Sequence, residues 1–308
     1  MSMIHERMYQ GSADLGAMSD LANAFPANNL HTADLPYRFS SWTLDRPDNA
    51  RLWEDESGRL LAWAVLQTPF WTIDYVIHPD ADSSLQKTLL GWVDAQAQAV
   101  VGTPYGRPAW FIPVFSDYLE RIHAVESAGF VSQANVGENS WTKVLLARPS
   151  RLKIENWGIP EGFIIRSLQG RDEAVLYAFL HRAVFESTNM TIDWRLRTLL
   201  QPSYHPDLDL VAVAPDGRLA AFCICWLNKI SSGEVTGQIE PLGVGEPFRE
   251  LGLGKAILAE GLRRLEQLGA ERILVETDNY RGPALSLYEA AGFHVERQVL
   301  VFRKDYEV

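Results

Sequence analysis

The most informative stretch of this sequence for its fold is Gly243-Val-Gly-Glu-Pro-Phe-Arg-Glu-Leu-Gly-Leu-Gly254. It follows a strand-like run, and its last two glycines open an amphipathic helix with an apolar face formed by Ile257, Leu258, Leu262 and Leu265. The first turn of a helix carries unpaired N–H groups and a positive partial charge, and glycines let an anion approach the backbone closely. The stretch therefore predicts a site for a phosphate-like group at the start of a helix.

Two common nucleotide-binding motifs do not fit this stretch. A P-loop needs Ser or Thr after its lysine, whereas Lys255 is followed by Ala256, and position 249 is Arg instead of the opening glycine. A dinucleotide-binding fingerprint that starts at Gly243 fails because position 248 is Phe. The pattern that remains is Arg249-x-x-Gly252-x-Gly254.

This pattern resembles the pyrophosphate-binding signature of the GNAT superfamily of N-acetyltransferases, Arg/Gln-x-x-Gly-x-Gly/Ala, between the fourth strand and third helix of that fold. A second marker, Leu287-Tyr288-Glu-Ala-Ala-Gly292-Phe293, is similar to the end of the family's fourth helix. The resemblance covers roughly residues 162–305 and keeps the order and spacing of both markers. It implies transfer of an acetyl group from acetyl-CoA, as co-substrate, to the amine of a small molecule.

The resemblance also implies which residues form the site. The cofactor-binding residues would be Leu242, Gly243, Val244, Arg249, Glu250, Leu251, Gly252, Leu253, Gly254 and Lys255, with Asn279 and Ala284 further along the chain. Asn279 departs from the pattern of many relatives, because it precedes Ala284 by five residues instead of three. Pro241 removes a ladder N–H and predicts a local break in strand pairing at this point.

Two side chains are candidates for the chemistry. A protonated amine must lose a proton before it attacks a thioester, so Glu240, four residues before Val244, is a candidate base. Tyr288 has a phenolic O–H that could protonate the leaving thiolate. The structural alternatives are a solvent-facing strand position for Glu240 and core packing for Tyr288.

Internal repetition indicates that one fold occurs twice. Residues 7–11, Arg-Met-Tyr-Gln-Gly, stand 159 positions before residues 166–170, Arg-Ser-Leu-Gln-Gly, and Ala-Gly-Phe recurs at 128–130 and 291–293. We predict an α+β protein with two tandem GNAT folds, each a mixed, mostly antiparallel sheet flanked by helices. The N-terminal copy would span 1–148, the linker 149–161 and the catalytic copy 162–308, a layout that resembles mycothiol synthases.

The N-terminal copy is predicted to lack a cofactor site. Its segment His78-Pro-Asp-Ala-Asp-Ser-Ser84 enters the corresponding helix without glycine or arginine. Asp80 and Asp82 place negative charge where an anion would bind, and Asp82 or Ser83 is a suitable helix N-cap. We therefore expect one acetyl-CoA per chain, bound by the second copy.

Composition narrows the function further. The 308 residues carry a net charge of −11 and are 47% hydrophobic, typical of a globular protein and unfavourable for nucleic acid or anionic membranes. The longest apolar run, 219–227, is too short to cross a membrane, and His5, Glu6 and Arg7 interrupt the apolar stretch that a secretory signal needs, so we expect no export. Cys223 and Cys225 are poorly spaced for a disulfide, so we expect a protein of the reducing cytoplasm. The histidines are scattered without the spacing of metal ligands, so we expect no metal.

Substrate sites favour domain interfaces, so we expect the acceptor amine in a cleft between the copies. The ten tryptophans are expected to pack in the cores more than to line that cleft. Two alternatives to general amine acetylation remain open: a non-catalytic acyl-CoA-binding or sensor protein, and a specialised mycothiol-synthase-like enzyme.

Overall fold

A computed structural model describes residues 4–230 and 233–307. We call the part before residue 149 the first copy and the part from residue 162 onward the second copy. The helices are α1 (Ser12–Ala24), α2 (Leu35–Phe39), α3 (Ser83–Ala99), α4 (Leu119–Ser127), α5 (Ala174–Phe185), α6 (Ile192–Thr198), α7 (Leu253–Gln267) and α8 (Gly282–Ala290). The strands are β1 (His5–Met8), β2 (Ala50–Glu54), β3 (Leu60–Gln67), β4 (Thr72–Ile77), β5 (Ala109–Phe115), β6 (Val131–Ser132), β7 (Lys143–Pro149), β8 (Ile164–Ser167), β9 (Asp209–Val213), β10 (Leu219–Lys229), β11 (Val235–Val244), β12 (Arg272–Asp278) and β13 (His294–Asp305).

All described strands join one mixed sheet, in the order β1-β2-β3-β4-β5-β13-β7-β12-β11-β10-β9-β8, with β6 paired to β13. Two pairs are parallel, β4 with β5 and β11 with β12, and the others are antiparallel. This is the mixed, mostly antiparallel architecture with flanking helices that the sequence predicts for each copy. The finding that the sequence did not predict is that the two sheets are continuous with each other.

The repeat reappears as the same ion pair in both copies. Arg7 on β1 binds Asp14 at 2.8 Å, and Arg166 on β8 binds Glu173 at 2.6 Å. Each carboxylate also accepts the backbone N–H of the glutamine that follows the strand, from Gln10 at 2.7 Å in the first copy. The residues of each pair are related by the predicted offset of 159 positions. The first strand of each copy is therefore fixed to the start of the next helix in the same way.

Helices cover both faces of the sheet because side chains alternate along its strands. On β10, Cys223 and Cys225 pack in the core that contains α7, while Phe222 and Trp226 pack in the core that contains α5 and α6. Both cysteines are free and buried. Helix α6 is an element that the sequence did not predict.

The last strands of the two copies are exchanged. Strand β7, from the first copy, pairs with β12 and with the first part of β13, which both come from the second copy. The rest of β13 pairs with β5 and β6 of the first copy. Each copy thus supplies the strand that closes its neighbour's sheet. The domain limits 1–148, 149–161 and 162–308 stay a prediction, and these strands cross them in space.

None of the helices among the described residues is long and apolar enough to cross a membrane.

The exchange predicts that a core mutation at the end of the chain destabilises the first copy. Phe302 on β13 is fully buried and packs with Trp110 and Phe130 of the first copy. We expect Phe302→Ala to lower the free energy of unfolding by about 3–5 kcal/mol, measured by urea denaturation. Val295→Ala, at an exposed position of the same strand, is the control and should change it by about 0.5 kcal/mol or less. Equal effects of the two substitutions would contradict this packing.

Candidate functional site

A wedge opens between β11 and β12 in the second copy. The two strands pair only over residues 236–238 and 272–274. Beyond Ile239, β11 keeps its partner β10 on one side, and β12 keeps its partner β7 on the other. The facing edges therefore separate next to Pro241, which has no N–H to donate to a ladder.

The glycine-rich stretch lies at one end of this wedge and leaves the start of α7 open. Gly252 is the residue before the helix, has φ of 86°, and provides no side-chain cap. A Cβ at Gly252 would meet no atom within 4 Å, and one at Gly254 would lie 3.6 Å from Val244 and 3.8 Å from Leu287. The first-turn amides of α7 are therefore not capped and have open space beside Gly252, which an anion would need, and Arg249 is exposed.

The other predicted cofactor residues have different environments. Leu242 and Val244 are half-buried at the end of β11, Leu253 and Ala284 pack in the core, and Glu250, Leu251 and Lys255 are exposed. A Cβ at Gly243 would lie 2.6 Å from both Phe222 and Val184, so this glycine is required by packing. Asn279 accepts the backbone N–H of Thr142 through Oδ1 at 3.1 Å. A cofactor contact stays a prediction for each of these residues.

Glu240 lies at the other end of the wedge and lines a cavity of about 470 Å³ between the copies. The first copy contributes residues that include His31, Tyr37, Arg38, Trp71, Phe111, Trp141 and Lys143 to the wall. The second copy contributes residues that include His181, Trp194, Glu240, Glu276, Asp278, Tyr280 and Arg281. The cavity therefore lies where the sequence analysis expects the acceptor.

The charges in this cavity neutralise one another except at Glu240. Lys143 binds Glu276 at 2.5 Å and Asp278 at 3.3 Å, and Arg281 binds Asp278 at 2.8 Å. Among the described residues, the Glu240 carboxyl group has no hydrogen-bond or ion-pair partner. Burial, followed by the negative charges of Asp34 and Glu276, raises the pKa of Glu240 to about 8. A carboxyl group with this pKa can exchange a proton with an amine near neutral pH.

Tyr288 is almost fully buried and packs against Phe293, with 5.8 Å between the ring centroids. Burial and the nearby negative charge of Glu240 raise the pKa of the Tyr288 phenol. The group therefore stays protonated near neutral pH and can act as a proton donor. Its catalytic role stays a prediction.

The first copy contains a carboxylate at the position of Glu240, but an arginine neutralises it. Tyr75 pairs with Ala64 in the β3–β4 hairpin as Leu242 pairs with Cys223 in the β10–β11 hairpin. Asp74 therefore corresponds to the bulged residues Glu240 and Pro241. Arg38 binds Asp74 through two hydrogen bonds of 2.6 and 2.8 Å, and both side chains are buried.

Two further features close the cofactor position in the first copy. Asp82 caps α3, because its Oδ1 accepts the backbone N–H of Ser84 at 2.8 Å. Arg121 on α4 donates to the carbonyl oxygen of Tyr75 at 2.6 Å, and its guanidinium lies 3.7 Å from the Tyr75 ring centroid. The cap occupies an N–H group at the start of α3, and Arg121 occupies the carbonyl oxygen of Tyr75 on β4. Few backbone groups are therefore left for a cofactor to contact.

Sequence reasoning missed several residues of the cavity. His31, Lys143 and Glu276 carry no motif, and only the fold brings them together with Glu240. The prediction for the tryptophans is corrected in part: several are fully buried in the cores, but Trp71 and Trp141 line the cavity. The repeat could in principle have related Asp74 to Glu240. A bulge in the β10–β11 hairpin shifts the alignment at this point and obscures the correspondence.

Comparisons with known proteins agree with this geometry. Residues 176–293 match the model of the acetyltransferase (GNAT) family. A mycothiol acetyltransferase of Arthrobacter sp. (strain FB24) is 28% identical over 150 residues, 47% of this chain and 46% of the relative. The match thus spans about half the length of that curated relative. The predicted resemblance to the GNAT family is confirmed.

Solved structures match nearly the whole chain in fold. A GCN5-related N-acetyltransferase from Sphaerobacter thermophilus has a TM-score of 0.64 at 19% identity, over 98% of this chain and 95% of the other. A tandem GNAT protein from the clavulanic acid biosynthesis pathway has a TM-score of 0.66 at 11% identity, over 99% of each chain. The predicted fold class, two tandem GNAT folds, is confirmed.

Because Arg38 binds the buried Asp74 with two hydrogen bonds, we expect replacing Arg38 to destabilise the protein more than replacing Arg197, the arginine at the corresponding position of the repeat. Arg38→Met would leave the buried Asp74 carboxylate unpaired, which costs about 3–5 kcal/mol of folding stability. Arg197 stands 159 positions later and binds the half-exposed Asp45 at 2.6 Å. Arg197→Met should cost about 1 kcal/mol or less. Urea denaturation of both variants tests this, and a small loss for Arg38→Met would show that Asp74 is not locked.

Proposed function

We propose that the second copy transfers the acetyl group of acetyl-CoA to the amine of a small molecule by direct attack. The observation that carries this proposal is the wedge between β11 and β12, with an uncapped glycine helix start at one end and the unpaired carboxyl group of Glu240 at the other. A cofactor and an acceptor that entered from opposite ends would meet inside it.

The residues of the wedge have distinct roles in this proposal. The first-turn amides of α7, with Arg249, hold the pyrophosphate. At Leu242–Val244, the edge of β11 that faces away from β10 is not paired with β12, and this edge contacts the pantetheine arm. Bound acetyl-CoA supplies a thioester that is already activated toward amines. Glu240 accepts the proton of the acceptor's amine, and Tyr288 donates a proton to the departing sulfur.

A second candidate function is acetylation of a mycothiol-type acceptor, which the name of the Arthrobacter relative favours. A screen that compares amino-sugar conjugates with simple alkyl and aryl amines separates the two candidates. A non-catalytic sensor would bind CoA and acetylate none of them. The unpaired Glu240 in the cavity favours an enzyme over a sensor, because an acid whose pKa is shifted toward neutral pH is typical of catalytic sites.

The cradle predicts one CoA site per chain and its loss on filling Gly254. A leucine at Gly254 would extend into the space between β11 and α8 without the backbone strain that a side chain at Gly252 would suffer. We expect isothermal calorimetry to show one site in the wild type and at least about tenfold weaker binding in Gly254→Leu. Gly91→Leu, at an exposed position of α3 with open space around its Cβ, is the matched control. Unchanged affinity in a folded Gly254→Leu variant would overturn the cradle.

The role of Glu240 predicts a change in the pH profile. The base must be ionised to accept a proton, so kcat/KM should rise with pH through the Glu240 pKa of about 8. Glu240→Gln should lower kcat by about a hundredfold to ten-thousandfold and remove that part of the acid limb. The same acceptor must be used for both enzymes, so that titration of its amine contributes equally. A loss of less than about tenfold would argue against the base.

A further inference from the structure

His31 bridges two carboxylates that belong to different copies. It lies in the first copy, before α2, and its side chain is 12% exposed. Its Nδ1 lies 3.0 Å from Oδ2 of Asp34, and its Nε2 lies 3.6 Å from Oε2 of Glu276 on β12 of the second copy. Glu276 is further held by Lys143 on the exchanged strand β7. The imidazole therefore connects an acidic group of the first copy with an acidic group of the second.

An imidazole between two carboxylates favours its doubly protonated form, because both ring nitrogens then face negative charge. Burial and the neighbouring Arg38 lower the pKa of His31, but the charge of Asp34, its hydrogen bond and the charge of Glu276 outweigh them and raise it. Against the effect of burial, the charge of His31 and its hydrogen bond hold the pKa of Asp34 below its ordinary range, and the charge of Lys143, followed by that of His31, does the same for Glu276. These contacts favour the state in which a protonated imidazole lies between two carboxylates.

This trio stands next to the proposed base. Asp34 and Glu276 disfavour the ionised form of Glu240, whereas His31 and Lys143 favour it. Arg281, Tyr37, Tyr177 and Tyr288, from the other elements packed around Glu240, also interact with its charge. The tyrosines are neutral near pH 7, so the charges that act on Glu240, in addition to the effect of burial, include those of the trio, Lys143 and Arg281.

We propose that His31 is a positioning residue that the first copy contributes to the second copy's active site, where its imidazolium joins Asp34 to Glu276 and sets the charge balance around Glu240. The importance of that balance for catalysis rests on the proposed function, whereas the bridge itself does not. The proposal assigns a task to a copy that has no cofactor site of its own. It also explains why the cavity must be formed by both copies.

The bridge is tested first without any catalysis, by NMR titration of the imidazole groups of the full chain. The seven histidines are few enough for the His31 signal to be assigned by its loss in His31→Gln. We expect His31 to titrate above the ordinary value of about 6.5, and at lower pH in Glu276→Gln. Asp34→Asn should lower it too, and serves if Glu276→Gln does not fold. A His31 that titrates at or below the ordinary value, unaffected by either variant, would overturn the proposal.

The effect on the base is tested by pH profiles of kcat/KM. His31→Gln should move the acid limb to higher pH to the extent that the NMR titration finds the wild-type imidazole protonated at the pH of the limb, and removing a negative charge in Glu276→Gln should move the limb to lower pH. The control is His181→Gln: His181 lines the same cavity, but burial lowers its pKa to about 3, so the substitution removes no charge near neutral pH. The acid limb of the kcat/KM profile of His181→Gln should stay at the same pH as in the wild type, even if kcat changes.

The outcomes separate this inference from the proposed function. A purely structural role for His31 would lower activity equally at every pH and leave the limb unmoved, which would contradict the inference while acetyl transfer stands. If the wild type acetylates no amine, the proposed function fails, and the NMR titration still decides whether His31 bridges the copies. Thermal unfolding of each variant shows whether a loss of activity reflects a loss of fold.

Discussion

The exchange of β7 and β13 is the constraint on which the site depends. Each strand closes the neighbouring copy's sheet, so the two sheets form one surface and the copies have little freedom to move apart. Lys143 begins β7, and the exchange places it beside Glu276 and Asp278 of the second copy. Without that pairing, Glu276 and Asp278 would lose Lys143 as a counter-ion, and their burial would be less favourable. Backbone pairing and the charge balance of the cavity are therefore aspects of one arrangement.

Within this shared sheet, the two copies differ in a few side chains at the positions where the second copy has its proposed binding site. The start of α7 presents glycines, whereas the start of α3 is capped by Asp82. Glu240 on β11 and Asp74 on β4 occupy corresponding positions. The Glu240 carboxyl group has no partner among the described residues, whereas Arg38 binds Asp74 through two hydrogen bonds. Tyr288 precedes the Ala-Gly-Phe repeat of the second copy by three residues, and the residue at the same place in the first copy is the buried Val125. The backbone differs at one of these positions, because the β10–β11 hairpin has a bulge at Glu240 and Pro241 and the β3–β4 hairpin pairs regularly through Asp74.

The sequence could predict what depends on neighbouring residues. The glycine-rich helix start, the Asp82 cap and the repeat are local patterns with a direct physical meaning. The strand exchange could not be predicted, because the final strand of either copy has an apolar pattern that would fit either sheet, and the choice is made by long-range pairing. His31 and Glu276 are far apart in sequence and carry no spacing signal. The bridge between them becomes visible only when the exchanged strands bring the copies together.

The contrast between Asp74 and Glu240 has a consequence for how buried charge is used in this fold. A buried carboxylate with a bidentate arginine is already satisfied, and it cannot take a proton from a substrate without breaking two charge-assisted hydrogen bonds. A carboxyl group with no direct partner keeps that capacity, but its ionised form must then be stabilised from a distance. At Glu240 this stabilisation comes from Lys143 and His31, which are themselves held by other carboxylates. The indirect arrangement leaves the oxygens of Glu240 free to contact an acceptor, which a direct salt bridge would not allow.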